Sequence, residues 1–172
     1  MKNILLGLLL VVVNMYALSE EQKDIARFVY EKGKPFDLGY TLVAIAWQES
    51  KLGKYPINLS DPSCGIMHVM PRFLIKRTKM KDTLWNRSRL CERLILDKDF
   101  SIAAAILELK YWQNYWKSRK VSKVWSHMVA SYNQGFACDI NSAYVKSIKK
   151  YIKRLRGNKE VLAIKTNKKE KK

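Results

Sequence analysis

The sequence predicts a mainly α single domain with long loops and little or no β-sheet. Apolar residues recur at three- and four-residue spacing in successive segments, the signature of helices that bury one face. No run of residues alternates apolar and polar as a half-buried strand would. A chain of 172 residues is long enough for one domain with a real core.

The elements follow in order. Met1-Lys2-Asn3 is a short positive start, and Ile4 to Val13 is an unbroken apolar run too short to span a bilayer unless its flanks contribute. Ala17 offers a small residue for signal cleavage, although Met15 is larger than that position prefers. Residues 1–18 therefore read as an export signal, cleaved or retained as a membrane anchor. Ser19-Glu20-Glu21-Gln22 then opens a helix: a capping serine, acidic residues in the first turn, and Ile25, Phe28 and Val29 at helical spacing. Gly33-Lys34-Pro35 ends it. Leu38 to Lys51 is a second helix, and Gly53 to Ser63, with two prolines, is a loop. Pro71 to Lys79 begins a third helix, Asp97 to Lys117 is a long one, Val121 to Ser131 is another, and Ala143 to Leu155 closes the domain at 19–157. Residues 158–172 are expected to be a basic, disordered tail. From Lys146 onward there are twelve Lys or Arg and two acidic residues.

The formal charge of +18 constrains partners rather than fold. For an exported protein in the periplasm or cell envelope, anionic envelope polymers are the expected polyanions; the plainer reading is that the charge serves solubility. No nucleic-acid motif appears. Cys64, Cys91 and Cys138 allow one disulfide and one thiol, and the pairing is not legible. Their spacing fits no zinc pattern and there are only two histidines, so no metal site is expected.

Glu49 is the leading candidate for chemistry. It lies seven, four and three positions after Leu42, Ile45 and Ala46, on their apolar face. A carboxyl held there is poorly solvated, which favours the protonated form that a general acid needs. Ser50 either orients that carboxyl, bonds a substrate amide or is simply solvated at the helix C-terminus. Gly65-Ile66-Met67-His68-Val69-Met70-Pro71 is a glycine-led apolar turn. Ser131-Tyr132-Asn133-Gln134-Gly135 reads as a polar, aromatic turn. Among the aromatics of the long helix, Trp112 and Trp116 share a side with Leu109 and suit the core, leaving Tyr111 and Tyr115 better placed for exposure.

These three segments, in this order, resemble the active-site motifs of the soluble lytic transglycosylases, relatives of goose-type lysozyme. Glu49-Ser50 matches the family's acid signature. Gly65, Met67 and Met70-Pro71 fit the second motif, with His68 where the family usually has Gln. Tyr132-Asn133 fits the third, and Tyr144-Val145 resembles a Tyr-Val pair of the closing helix. The resemblance runs from about Leu38 to Leu155. It implies a lysozyme-like fold and a monomer that cuts the glycan strands of peptidoglycan. Glu49 would act as acid and then base, Ser50, Tyr132 and Asn133 would support it, with the Tyr132 phenol aimed at the carboxyl. Gly65, Met67, His68 and Tyr144 would contact substrate. Two alternatives stay open: a hydrolase pairing Glu49 with Asp61, itself otherwise a turn residue before Pro62, and a non-catalytic peptidoglycan-binding or assembly factor.

Overall fold

The structure, a computed structural model, describes residues 18–157 and Leu162. The reading of residues 1–18 as a signal and of 158–172 as a disordered tail lies outside the described residues, Leu18 and Leu162 apart. Helix α1 (Glu20–Gly33) opens on a complete capping box. The Ser19 hydroxyl accepts from the Gln22 N–H at 3.1 Å, and the Gln22 side chain accepts from the Ser19 N–H at 3.0 Å. Its buried stripe of Ile25, Ala26, Val29 and Gly33 packs on α2 (Gly39–Ser50). A 3-10 turn, Lys34–Phe36, joins the two, with Pro35 at its start where a missing N–H is harmless. Residues Thr41 to Ala46 are all buried, so α2 is the central rod of the core.

Lys51, in the left-handed region at φ 54°, stops α2. The chain then forms a small antiparallel sheet, β1 (Ile57–Asn58) on β2 (Ser63–Cys64), in the register Ile57 to Cys64. Helix α3 (Pro71–Thr78) begins on its proline. Helix α4 (Leu84–Leu96) falls where the spacing predicts no helix. It buries only Leu90 and Leu94, so its apolar stripe is thin among arginines.

Helix α5 (Lys98–Ser118) is capped by Asp97, which accepts from the Phe100 N–H at 2.9 Å. Helix α6 (Val124–Gln134) starts three residues later than the spacing predicts, because Lys120 turns left-handed and the next residues reverse the chain. It also runs further, so Ser131 to Gln134 form a last helical turn before Gly135 rather than a loop. Helix α7 (Ala143–Gly157) closes the domain against α2. Cys64 and Cys91 form a disulfide joining β2 to α4, with Cα atoms 5.3 Å apart, and Cys138 is a free thiol. Among the described residues no helix is long and apolar enough to cross a membrane.

Candidate active site

Glu49 sits in the last turn of α2 with its side chain 16% exposed. The Tyr144 phenol, from the first turn of α7, donates to Oε1 at 2.6 Å. Oε2 lies 3.5 Å from His68 Nδ1. The other ring nitrogen, Nε2, is 2.7 Å from the Tyr55 carbonyl, which can only accept, so Nε2 carries a hydrogen and Nδ1 is left for Glu49. Burial alone would lower the imidazole. Its hydrogen bonds to Glu49 and the Tyr55 carbonyl, with the charges of Glu49 and Asp61, outweigh that, so His68 titrates above its ordinary 6.5.

His68 reaches this place because Gly65 to Val69 fold into a tight turn. Cys64 and Val69 exchange backbone hydrogen bonds at 3.1 and 3.0 Å across it, and His68 takes φ 45°. Gly65, at φ 80°, lies beneath: a Cβ there would stand 2.2 Å from the Leu94 carbonyl oxygen. Met67 is fully buried. Of the residues expected to contact substrate, His68 therefore faces the pocket, whereas Gly65 and Met67 support it from the core side. Tyr144 bonds the acid itself.

Ser50 is also fully buried and faces away from the carboxyl it was expected to orient. Its hydroxyl lies 2.7 Å from the Ile66 carbonyl and 3.2 Å from the Ala46 carbonyl, and accepts from the Gly53 N–H at 2.7 Å. It pins the end of α2 to the turn that carries His68. The Tyr132 phenol likewise does not bond Glu49; it donates to the Met67 carbonyl at 2.7 Å. Burial pushes both phenols well above the ordinary 10, and the Glu49 charge adds to each, so both remain donors near neutral pH.

The pocket above these groups is lined by Glu49, Asp61, His68, Glu108, Tyr132 and the exposed Asn133, with Phe73 and Met70 at its wall. Glu108 is the residue that sequence reasoning missed. It is buried on α5, and the Arg77 guanidinium pairs with it at 3.0 Å while lying 3.3 Å over the Tyr111 ring. Burial pushes Glu108 up, and Arg77 pulls against that. Its signal was available: Ala104, Ala105 and Trp112 lie four and three positions before it and four after, so it shares an apolar face as Glu49 does. Asp61 carries one carboxylate oxygen that is buried without a hydrogen-bond partner. Tyr111 and Tyr115 are half-buried rather than free, and Trp112 is in the core. Among the described residues no cluster of His, Cys, Asp or Glu could hold a metal ion.

A family model described as "Transglycosylase SLT domain" matches residues 31–154, which contain every pocket residue named above. The chain belongs to the transglycosylase SLT family. Membership in the SLT family supports a lytic-transglycosylase-type enzyme acting on peptidoglycan, and the mainly helical architecture agrees with a lysozyme-like SLT fold. The chain is also similar to an Enterobacteria phage T4 protein described as "Uncharacterized 20.7 kDa protein in vs-regB intergenic region". The two are 28% identical, over 92% of this chain and 95% of that one. No solved structure matches. Within this SLT domain, Glu49 is a carboxylate held from two sides, by a phenol that donates and an imidazole that can exchange a proton.

Proposed function

We propose that the protein is a peptidoglycan lytic transglycosylase in which Glu49 alone serves as acid and base. The observation that carries this reading is the clamp on Glu49: Tyr144 fixes one carboxylate oxygen and His68 faces the other at the floor of a pocket. Protonated Glu49 gives its proton to the oxygen joining N-acetylmuramic acid to N-acetylglucosamine. That bond breaks, and the substrate's own acetamido group shields the positive anomeric carbon. The Glu49 carboxylate then takes the proton of the C6 hydroxyl, whose oxygen closes a 1,6-anhydro ring. Acid–base work of this kind contributes roughly 10² to 10⁴-fold in rate. Asn133 and His68 are the polar groups positioned to bind sugar. Ser50 and Tyr132 act through position, by holding the turn beneath.

In this reading the protein is exported, works as a monomer in the periplasm or cell envelope without a cofactor, and its surplus charge draws it to anionic envelope polymers. Hydrolysis is the second reading. It is favoured by the unpartnered Asp61 oxygen and by Glu108 in the same pocket, since a hydrolase of this type uses a second carboxylate. Mass spectrometry of glycan released from purified peptidoglycan separates the two, with Glu49→Gln as control. Anhydro-muramyl ends that vanish in Glu49→Gln are expected. Reducing ends would mean hydrolysis, and a folded wild-type chain that releases nothing would sink both.

A further inference from the structure

Helices α2 and α7 lie antiparallel. Tyr144 meets Glu49 at one end, Ser147 donates to Gln48 at 2.7 Å, the Trp47 and Tyr151 rings meet edge to face, and Arg156 reaches Tyr40 at the other end. At that far end opens a cleft of about 580 Å³. The cleft shares no lining residue with the Glu49 pocket, and its cations on α7 lie five to twelve residues beyond Tyr144, about 8 to 18 Å at the helical rise. Four cations line it, Lys34, Lys149, Lys153 and Arg156, against one acid, Asp37. Glu31 stands 3.9 Å from Lys34, and no ion pair engages the other three among the described residues.

The cleft also has aromatic walls, and two of them carry a cation over the ring. Arg156 stands 5.2 Å over the Tyr40 ring and Lys149 6.0 Å over Trp125. Tyr40 is met edge-on by Tyr30 at 5.0 Å, and the Trp125 indole N–H donates to Thr41 Oγ1 at 3.1 Å. The rings thus act as platforms that hold cations in the cleft. A cation over a ring competes with base stacking on that side, the contact on which single-stranded nucleic-acid sites rely. An arginine fork and several ammonium groups converging on one space suit the multiple charged oxygens of a phosphate. The first turn of α2 opens on the same cleft without a side-chain cap and adds its positive dipole end.

We propose that this cleft is a binding site for phosphate-bearing polyol or sugar polymers, independent of the Glu49 pocket. It goes beyond general attraction by charge, because it assigns the contact to named residues and to one chemical group. That the polymer is met at the cell envelope rests on the proposed enzymatic reading; the binding chemistry does not.

The test is titration of the full chain with a glycerol-phosphate polymer at about 0.15 M salt, where diffuse surface charge is largely screened. A Lys149→Gln/Lys153→Gln/Arg156→Gln variant is compared with Lys76→Gln/Lys79→Gln/Lys81→Gln, which removes as many exposed charges elsewhere. The first is expected to lose affinity about tenfold or more, and the second about twofold at most. Thermal melts check folding, and the single reversal Lys153→Glu reads the same loss if the triple variant unfolds. Equal losses in both sets, or none in either, would overturn the site. So would equal affinity for polygalacturonate, a carboxylate polymer, or tighter binding of a thymidine oligonucleotide. Cleavage of short soluble glycans is followed in parallel and is expected to be unchanged in the cleft variant. A wild-type chain that binds the phosphate polymer but cleaves no glycan would refute the enzymatic reading and uphold the cleft.

Discussion

At Glu49 the two flanking groups have separable roles. Tyr144→Phe removes the 2.6 Å hydrogen bond and little volume. It is expected to lower kcat roughly tenfold to a hundredfold, while stability falls by only about 1 kcal/mol. Steady-state kinetics beside chemical denaturation would check this; an unchanged kcat would remove Tyr144 from the machinery. His68 predicts a pH signature. Its folded value lies above 6.5, so its contribution to stability is full below that pH and is lost as pH climbs through the raised value. The stability advantage of wild type over His68→Gln should therefore shrink as pH rises from below 6.5 through the raised value. A constant difference would contradict the pairing with Glu49. The placement of Glu49 was legible, because seven, four and three positions of apolar spacing put it on the buried face of a helix. Which phenol reaches it was not. Tyr132 and Tyr144 are both near it, and only the packing of α7 on α2 brings Tyr144 to the carboxyl and leaves Tyr132 to the Met67 carbonyl.

Among the elements, the disulfide links two that periodicity hardly announces. Cys64, at the root of the turn that carries His68, is bonded to Cys91 on α4 across 27 residues of sequence. Closing a loop of that length is worth roughly 3.5 kcal/mol in the chain-entropy account. The double variant Cys64→Ser/Cys91→Ser is expected to lose about that much in denaturant titration and to lose glycan cleavage at temperatures where wild type is still active. A melting point equal to wild type would show that the bridge is dispensable. Helix α4 escaped the sequence because Leu90 and Leu94 are its only buried residues, whereas α2 and α5 announced themselves through long buried stripes. The late start of α6 was equally hidden: a left-handed Lys120 has no sequence signal, since lysine disfavours that region. Glu108 has the same apolar spacing as Glu49, with Ala104, Ala105 and Trp112 on its face, but it lies in none of the motif-like segments, and spacing alone does not mark a site.

For the whole molecule, charge acts over distance. A net +18 on 172 residues attracts polyanions at low ionic strength and is screened as salt rises. On intact peptidoglycan, KM should rise several-fold between about 0.05 and 0.5 M salt while kcat changes little. Turnover kinetics at the two salt concentrations would check it, and a KM indifferent to salt would mean that charge does not recruit the enzyme. The antiparallel α2–α7 pair has a consequence of another kind. One helix pair carries Glu49 at one end and the basic cleft at the other, braced between them by Gln48–Ser147 and Trp47–Tyr151. Such a pair is a ruler with a stop at each end. Where the phosphate polymer held in the cleft is joined to a glycan strand, an anchor among Lys149, Lys153 and Arg156 offers to Glu49 only bonds about 8 to 18 Å away. Cutting would then be metered by distance instead of by the sequence of sugars.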